Sequence, residues 1–186
     1  MEITQIAVGD STCPVRLDGP DSRHVVLLLP SAGDDPGVFD AVCERLHSSD
    51  LRTVVPESVT GLSEESVLAL LDELKVAWVN LVGTGEGADL AWLLAARRFG
   101  RFASLVVADR PHPAVPGADG VARVPDCPAV EVPTTVVFGR AADDDGGTAR
   151  RVYSDYRAVH LDDVADIPRD AAAEFATEIV LRTSPW

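Results

Sequence analysis

Four short apolar runs, each separated from the next by a stretch of helical period, constrain this chain more than any other feature. They are His24–Leu29, Ala77–Val82, Ala103–Ala108 and Val132–Phe138. All are far too short to span a bilayer. His24–Leu29, a continuous apolar run bounded by a proline, suits a strand buried on both sides of a parallel sheet, Ala77–Val82 is the most buried-looking strand, and the other two segments also read as strands. Parallel neighbours need crossover connections, usually helices, and the intervening segments supply them. Phe39, Val42, Cys43 and Leu46 recur at helical spacing behind Pro36, which is placed to start a helix. Ser63 is placed to cap a second helix whose apolar face is Leu68, Leu71 and Leu74. A third, strongly apolar helix runs from Ala88 to about Phe99, and a last one from Asp170 to Leu181. Leu51–Val55 and Tyr156–Leu161 read as further strands. Ile3–Val8 and Pro14–Asp18 flank Gly9-Asp10-Ser11 as two short strands, which points to an antiparallel edge. The expectation is an α/β fold, a mainly parallel sheet flanked by helices on both faces, in one domain over residues 1–186.

Charge narrows the partners. Thirty acidic residues against 16 Lys and Arg leave a formal net charge of −14. Such a surface repels phosphate backbones, so nucleic acid is not an expected partner. The apolar runs exclude a membrane span, and the first residues lack a basic stretch followed by an apolar one, so a cytoplasmic home is the expectation. Cys13, Cys43 and Cys127 are scattered and odd in number, which suggests reduced thiols and neither a disulfide frame nor a metal site. No cofactor is expected. A small-molecule ligand is, and homo-oligomerisation stays open.

In an open parallel sheet, ligands bind beyond the carboxyl ends of the strands. The loops there are 30–35, 56–61, 83–87, 109–131, 139–147 and 162–167. The segment from Asp109 to Glu131 carries Pro111, Pro113, Pro116, Pro125 and Pro128 and reads as a long irregular loop, of a length that often covers a site.

The order of segments resembles the α/β-hydrolase superfamily over nearly the whole chain. Leu29-Pro30-Ser31-Ala32-Gly33 resembles the family's oxyanion loop. Val79–Gly87 resembles its strand, nucleophile elbow and helix. Pro133–Arg140, followed by Asp143-Asp144-Asp145, resembles the strand and loop that carry the triad acid. Asp163–Phe175 resembles the histidine loop and final helix. The departures are as informative. The elbow pattern is G-x-S-x-G, whereas here Gly83-Thr84-Gly85-Glu86-Gly87 places Gly85 at the nucleophile position. Thr84 lies one position early. The triad histidine is expected near Ala165, and the last histidine of the chain is His160. Ser31-Ala32 replaces the oxyanion loop's His-Gly. The proline-rich loop stands in place of a cap domain.

The resemblance implies a retained oxyanion site from Ser31, Ala32, Gly33, Gly85 and the Glu86 N–H at a helix start. Gly85 itself has two readings: it preserves a strained backbone position, or it opens space for a ligand. Candidate acid–base groups are Asp143, the kept triad acid by resemblance, with Asp144 and Asp145 as alternatives; Glu86; Asp109, at a strand's carboxyl end; and His112, the one histidine placed to approach the mouth of the site. His24, His47 and His160 read as structural. Three functions follow. The first is a non-hydrolytic enzyme acting on a carbonyl-bearing small molecule by lyase, cyclase or isomerase chemistry, of a kind that suits biosynthesis. Alternatively the chain is a pseudoenzyme that binds without turnover, or a hydrolase with a relocated nucleophile such as Ser31.

Overall fold

The computed structural model describes residues 2–8, 11–140 and 146–183. Eight strands form one sheet in the order β1-β2-β4-β3-β5-β6-β7-β8. They are β1 (Glu2–Val8), β2 (Ser11–Asp18), β3 (Val25–Leu29), β4 (Arg52–Pro56), β5 (Val79–Thr84), β6 (Phe102–Ala108), β7 (Thr134–Phe138) and β8 (Tyr156–His160). β2 runs antiparallel to both β1 and β4, and every later pairing is parallel. The helices are α1 (Asp40–His47), α2 (Glu64–Glu73), α3 (Gly85–Arg97), α4 (Ile167–Asp170) and α5 (Ala172–Thr183).

Period-2 alternation along the central strands feeds two separate cores. Leu27, Leu29, Leu81, Leu105, Val107 and Val136 face α2 and α3, where Trp92 is fully buried. Val26, Leu28, Val82, Val106 and Val137 face α1 and α5, packing with Phe39 and Phe175. This double burial explains why the central runs carry so little polar alternation. Ser63 caps α2 as expected, its hydroxyl accepting from the Ser66 N–H.

Several boundaries differ from expectation. Residues 36–39 form turns closed by Val38 N–H to Asp35 C=O and Asp40 N–H to Gly37 C=O, so α1 begins at Asp40 and not at Pro36. β5 begins two residues later than the apolar run, which leaves Trp78 63% exposed at the amino end of that strand. The last helix is broken at Ala171 (φ −135°) into α4, capped by Asp166, and α5. Residues 109–133 contain no helix or named strand, as the prolines suggested, and no cap domain interrupts the sheet there. No helix of the described residues is long and apolar enough to cross a membrane.

Candidate functional site at the β5–α3 elbow

The turn from β5 into α3 is very tight. Thr84 ends the strand with extended backbone, and Gly85 starts the helix at φ +51°, a region where a side chain is disfavoured. The glycines on either side are required by contact. A Cβ on Gly83 would lie 2.6 Å from the Cα of Ala88, and one on Gly87 would collide with the carbonyls of Leu29 and Pro30. The helix start therefore presses directly on the end of β3, which brings the 30–35 loop against the elbow. The Thr84 hydroxyl is buried and has no hydrogen-bond partner among the described residues.

Space beside Gly85 is not open to a ligand in this structure, contrary to one of the two readings of that glycine. A Cβ there would fall 2.5 Å from the Ser31 Cβ and still closer to its Oγ. Ser31 thus stands where a side chain on residue 85 would begin. Its hydroxyl donates to the Glu86 carboxylate at 2.6 Å, and the Ala32 N–H donates to the same oxygen at 3.0 Å. The Ser31 hydroxyl, then Glu86's own N–H and that of Ala32, hold the Glu86 carboxyl below the usual range. Two of the donors expected to stabilise an external oxyanion, the Ser31 hydroxyl and the Ala32 N–H, are therefore turned onto an internal one. Ser31 N–H is spent on Asp34 Oδ2 at 3.0 Å. Gly33 lies in the same loop at φ +83°, with open space around it.

His112 is not at the mouth of the site, which corrects the sequence expectation. It is fully buried, with its ring edge-on to Trp92 at a centroid distance of 5.1 Å. Nδ1 accepts from the Ala114 N–H at 3.2 Å, so Nε2 carries the proton and donates to the Pro128 carbonyl at 2.9 Å. Burial pushes its pKa down to about 4. Both ring nitrogens are committed, and the residue staples the proline-rich loop instead of serving as a base. The surrounding prolines offered one local hint: they provide carbonyls without matching N–H donors, and one of these, that of Pro128, accepts the His112 proton.

Asp109 does sit at the carboxyl end of β6, at φ +55°. Its Oδ1 accepts from the Gly139 N–H at 2.6 Å, tying the ends of β6 and β7 together. Burial raises its pKa, with the Gly139 N–H opposing that effect. Asp109 and His112 do not pair with each other: the histidine faces Pro128 and Ala114. Asp143, Asp144 and Asp145 lie outside the described residues. Among the described residues no group of three or more His, Cys, Asp or Glu side chains is arranged to hold a metal ion. The structure therefore brings Ser31, Ala32, Gly85 and Glu86 together, places Asp109 on the same sheet edge, and sends His112 into the interior.

No protein-family model and no curated protein matches the chain. Solved structures do. An enol-lactonase from Burkholderia xenovorans superposes with a TM-score of 0.82 at 17% identity, covering 98% of this chain and 100% of that one. For an epoxide hydrolase described as putative, from Klebsiella pneumoniae, the TM-score is 0.80 at 16% identity, with 99% and 98% covered. An epoxide hydrolase from Vigna radiata gives 0.78 at 16% identity, with 97% of both chains covered. At these identities the likeness is one of fold.

Proposed function

We propose that this protein, which has the α/β-hydrolase fold, is a catalytically silent member that keeps the scaffold for binding and not for turnover. One observation carries the reading: the Glu86 carboxylate takes the Ala32 N–H and the Ser31 hydroxyl, while the Ser31 side chain fills the space beside Gly85. An external carbonyl would have to displace a charge-assisted bond before meeting the Ala32 N–H. The acid–base groups that non-hydrolytic chemistry would call on are also spent. His112 is neutral and enclosed, and Asp109 is engaged with Gly139. Asp143 remains the open acid of that alternative.

A second reading has its own observation. Ser31 Oγ and the Glu86 carboxylate, 2.6 Å apart, are disposed as a relocated nucleophile and base. The lowered pKa of Glu86 argues against it, since a weakly basic carboxylate is a poor acceptor for a serine proton. Incubation with a fluorophosphonate probe and with p-nitrophenyl acetate separates the two. Silence on both is the expected result. Stoichiometric labelling of Ser31, with ester turnover abolished in Ser31→Ala, would overturn the proposal and establish the relocated nucleophile.

A further inference from the structure

At the amino ends of β3 and β5, on the far side of the sheet from the elbow, lies a cleft of about 580 Å³. The six-residue β5 separates the two places by roughly 20 Å at about 3.3 Å per residue. Arg23, His24, Trp78, Asn80, Pro133 and Arg182 are among the residues that line it, and among the described residues no Asp or Glu does. In a chain of net charge −14 this is a local reversal of sign.

These side chains are not equivalent. Arg182 is already neutralised by Asp155 and braced by Thr135 Oγ1 and the Thr134 carbonyl. It forms a fixed wall. Arg23 is exposed and makes no ion pair or hydrogen bond through its side chain among the described residues. Trp78 leaves most of its indole in water, an unfavourable place for so large an apolar surface. Asn80 is 8% exposed; one of its amide hydrogens goes to the Val25 carbonyl, and its Oδ1 accepts from Ser104. Its second amide hydrogen has no partner among the described residues, which leaves one unspent donor in the lining.

From this combination we infer a second binding site, for a small aromatic carboxylate, with the ring against Trp78 and Pro133 and the acid group on Arg23 and the Asn80 amide. A planar ring covers the indole face, and an arginine fork matches a carboxylate. This inference stands independently of the silent-elbow reading, because it concerns the opposite end of the sheet.

The test is calorimetric titration of the full chain with 1-naphthoate and with the uncharged 1-naphthamide, at pH 7 and low salt. Amide and indole N–H shifts in the NMR spectrum locate the ligand. Saturable naphthoate binding is expected, weaker for the amide, with the main shifts at the Trp78 indole and the Asn80 side chain. Arg23→Gln and Trp78→Ala should each weaken it about tenfold, the scale of one charge-assisted contact on a partly exposed surface for the first and of one stacked ring for the second. Both side chains are exposed, and thermal unfolding checks that the variants remain folded. Absence of binding at millimolar naphthoate, affinity unchanged in both variants, or shifts centred on the Ala32 and Glu86 amides would each overturn the inference. None of these results bears on ester turnover, so the two proposals fail separately.

Discussion

Restoring a serine at the elbow is the most direct way to probe how the site is filled. Gly85→Ser places a Cβ 2.5 Å from that of Ser31, at a backbone φ of +51°. The left-handed conformation alone costs a side chain about 1–2 kcal/mol. Ser31 must also swing away, which breaks its 2.6 Å bond to Glu86. That bond lies on a partly exposed surface and is worth about 1 kcal/mol. Gly85→Ser should therefore destabilise the protein by about 2–3 kcal/mol. Ser31→Gly alone loses the same bond, about 1 kcal/mol by the same reasoning. The double variant loses it only once, so the two changes should be non-additive by about 1 kcal/mol. Urea unfolding of all four proteins at pH 7 reads the cycle directly. For a slope of about 2 kcal/mol/M, the Gly85→Ser midpoint falls by roughly 1 M or somewhat more. Additivity within about 0.3 kcal/mol, or a Gly85→Ser variant as stable as the parent, would refute the claim that Ser31 occupies this volume.

Two further predictions concern the supporting structure. His112 has its pKa lowered from 6.5 to about 4, so the unfolded chain takes up that proton first as pH falls. Its stabilising contribution is complete above about pH 6.5, and about 2 kcal/mol of it is lost between pH 7 and pH 5. His112→Ala should destabilise by about 3–4 kcal/mol at pH 7, through two orphaned backbone groups and a cavity. The gap to the parent should narrow by about 2 kcal/mol at pH 5, measured by denaturant unfolding at each pH; a constant gap would contradict a neutral buried ring. Gly87→Ala drives a methyl into the backbone carbonyls of Leu29 and Pro30, where no flexible side chain can yield. It should cost about 3 kcal/mol, against about 1 kcal/mol for Gly33→Ala, whose surroundings are open, as thermal or urea unfolding will show.

Much of the architecture is readable from local pattern. Runs such as Val25–Leu29 are buried on both faces because α1 and α5 cover one side and α2 and α3 the other, and that double burial is what removes polar alternation from the sequence. The glycines at 83, 85 and 87 likewise announce a turn too tight for side chains, and contact geometry agrees at each of them. Helix starts were less legible, since the turns over residues 36–39 and the break at Ala171 depend on single backbone angles more than on apolar period.

The decisive features of the site belong to the tertiary structure alone. Ser31 and Glu86 are 55 residues apart, and nothing in either neighbourhood shows that one hydroxyl would fill the space beside Gly85 while the other residue's carboxylate takes the Ala32 N–H. His112 looks like a loop histidine free to reach a ligand, and only the packing of Trp92 and the Pro128 carbonyl around it makes it a buried staple. Trp78 lies at the start of an apolar run and yet outside the sheet, because β5 pairs with its neighbours from residue 79 onward. Periodicity reports which face of an element is dry, a property of adjacent residues. Which donor meets which acceptor across the sheet edge is set by how loops from different strands converge, and that information is present only once the chain has folded.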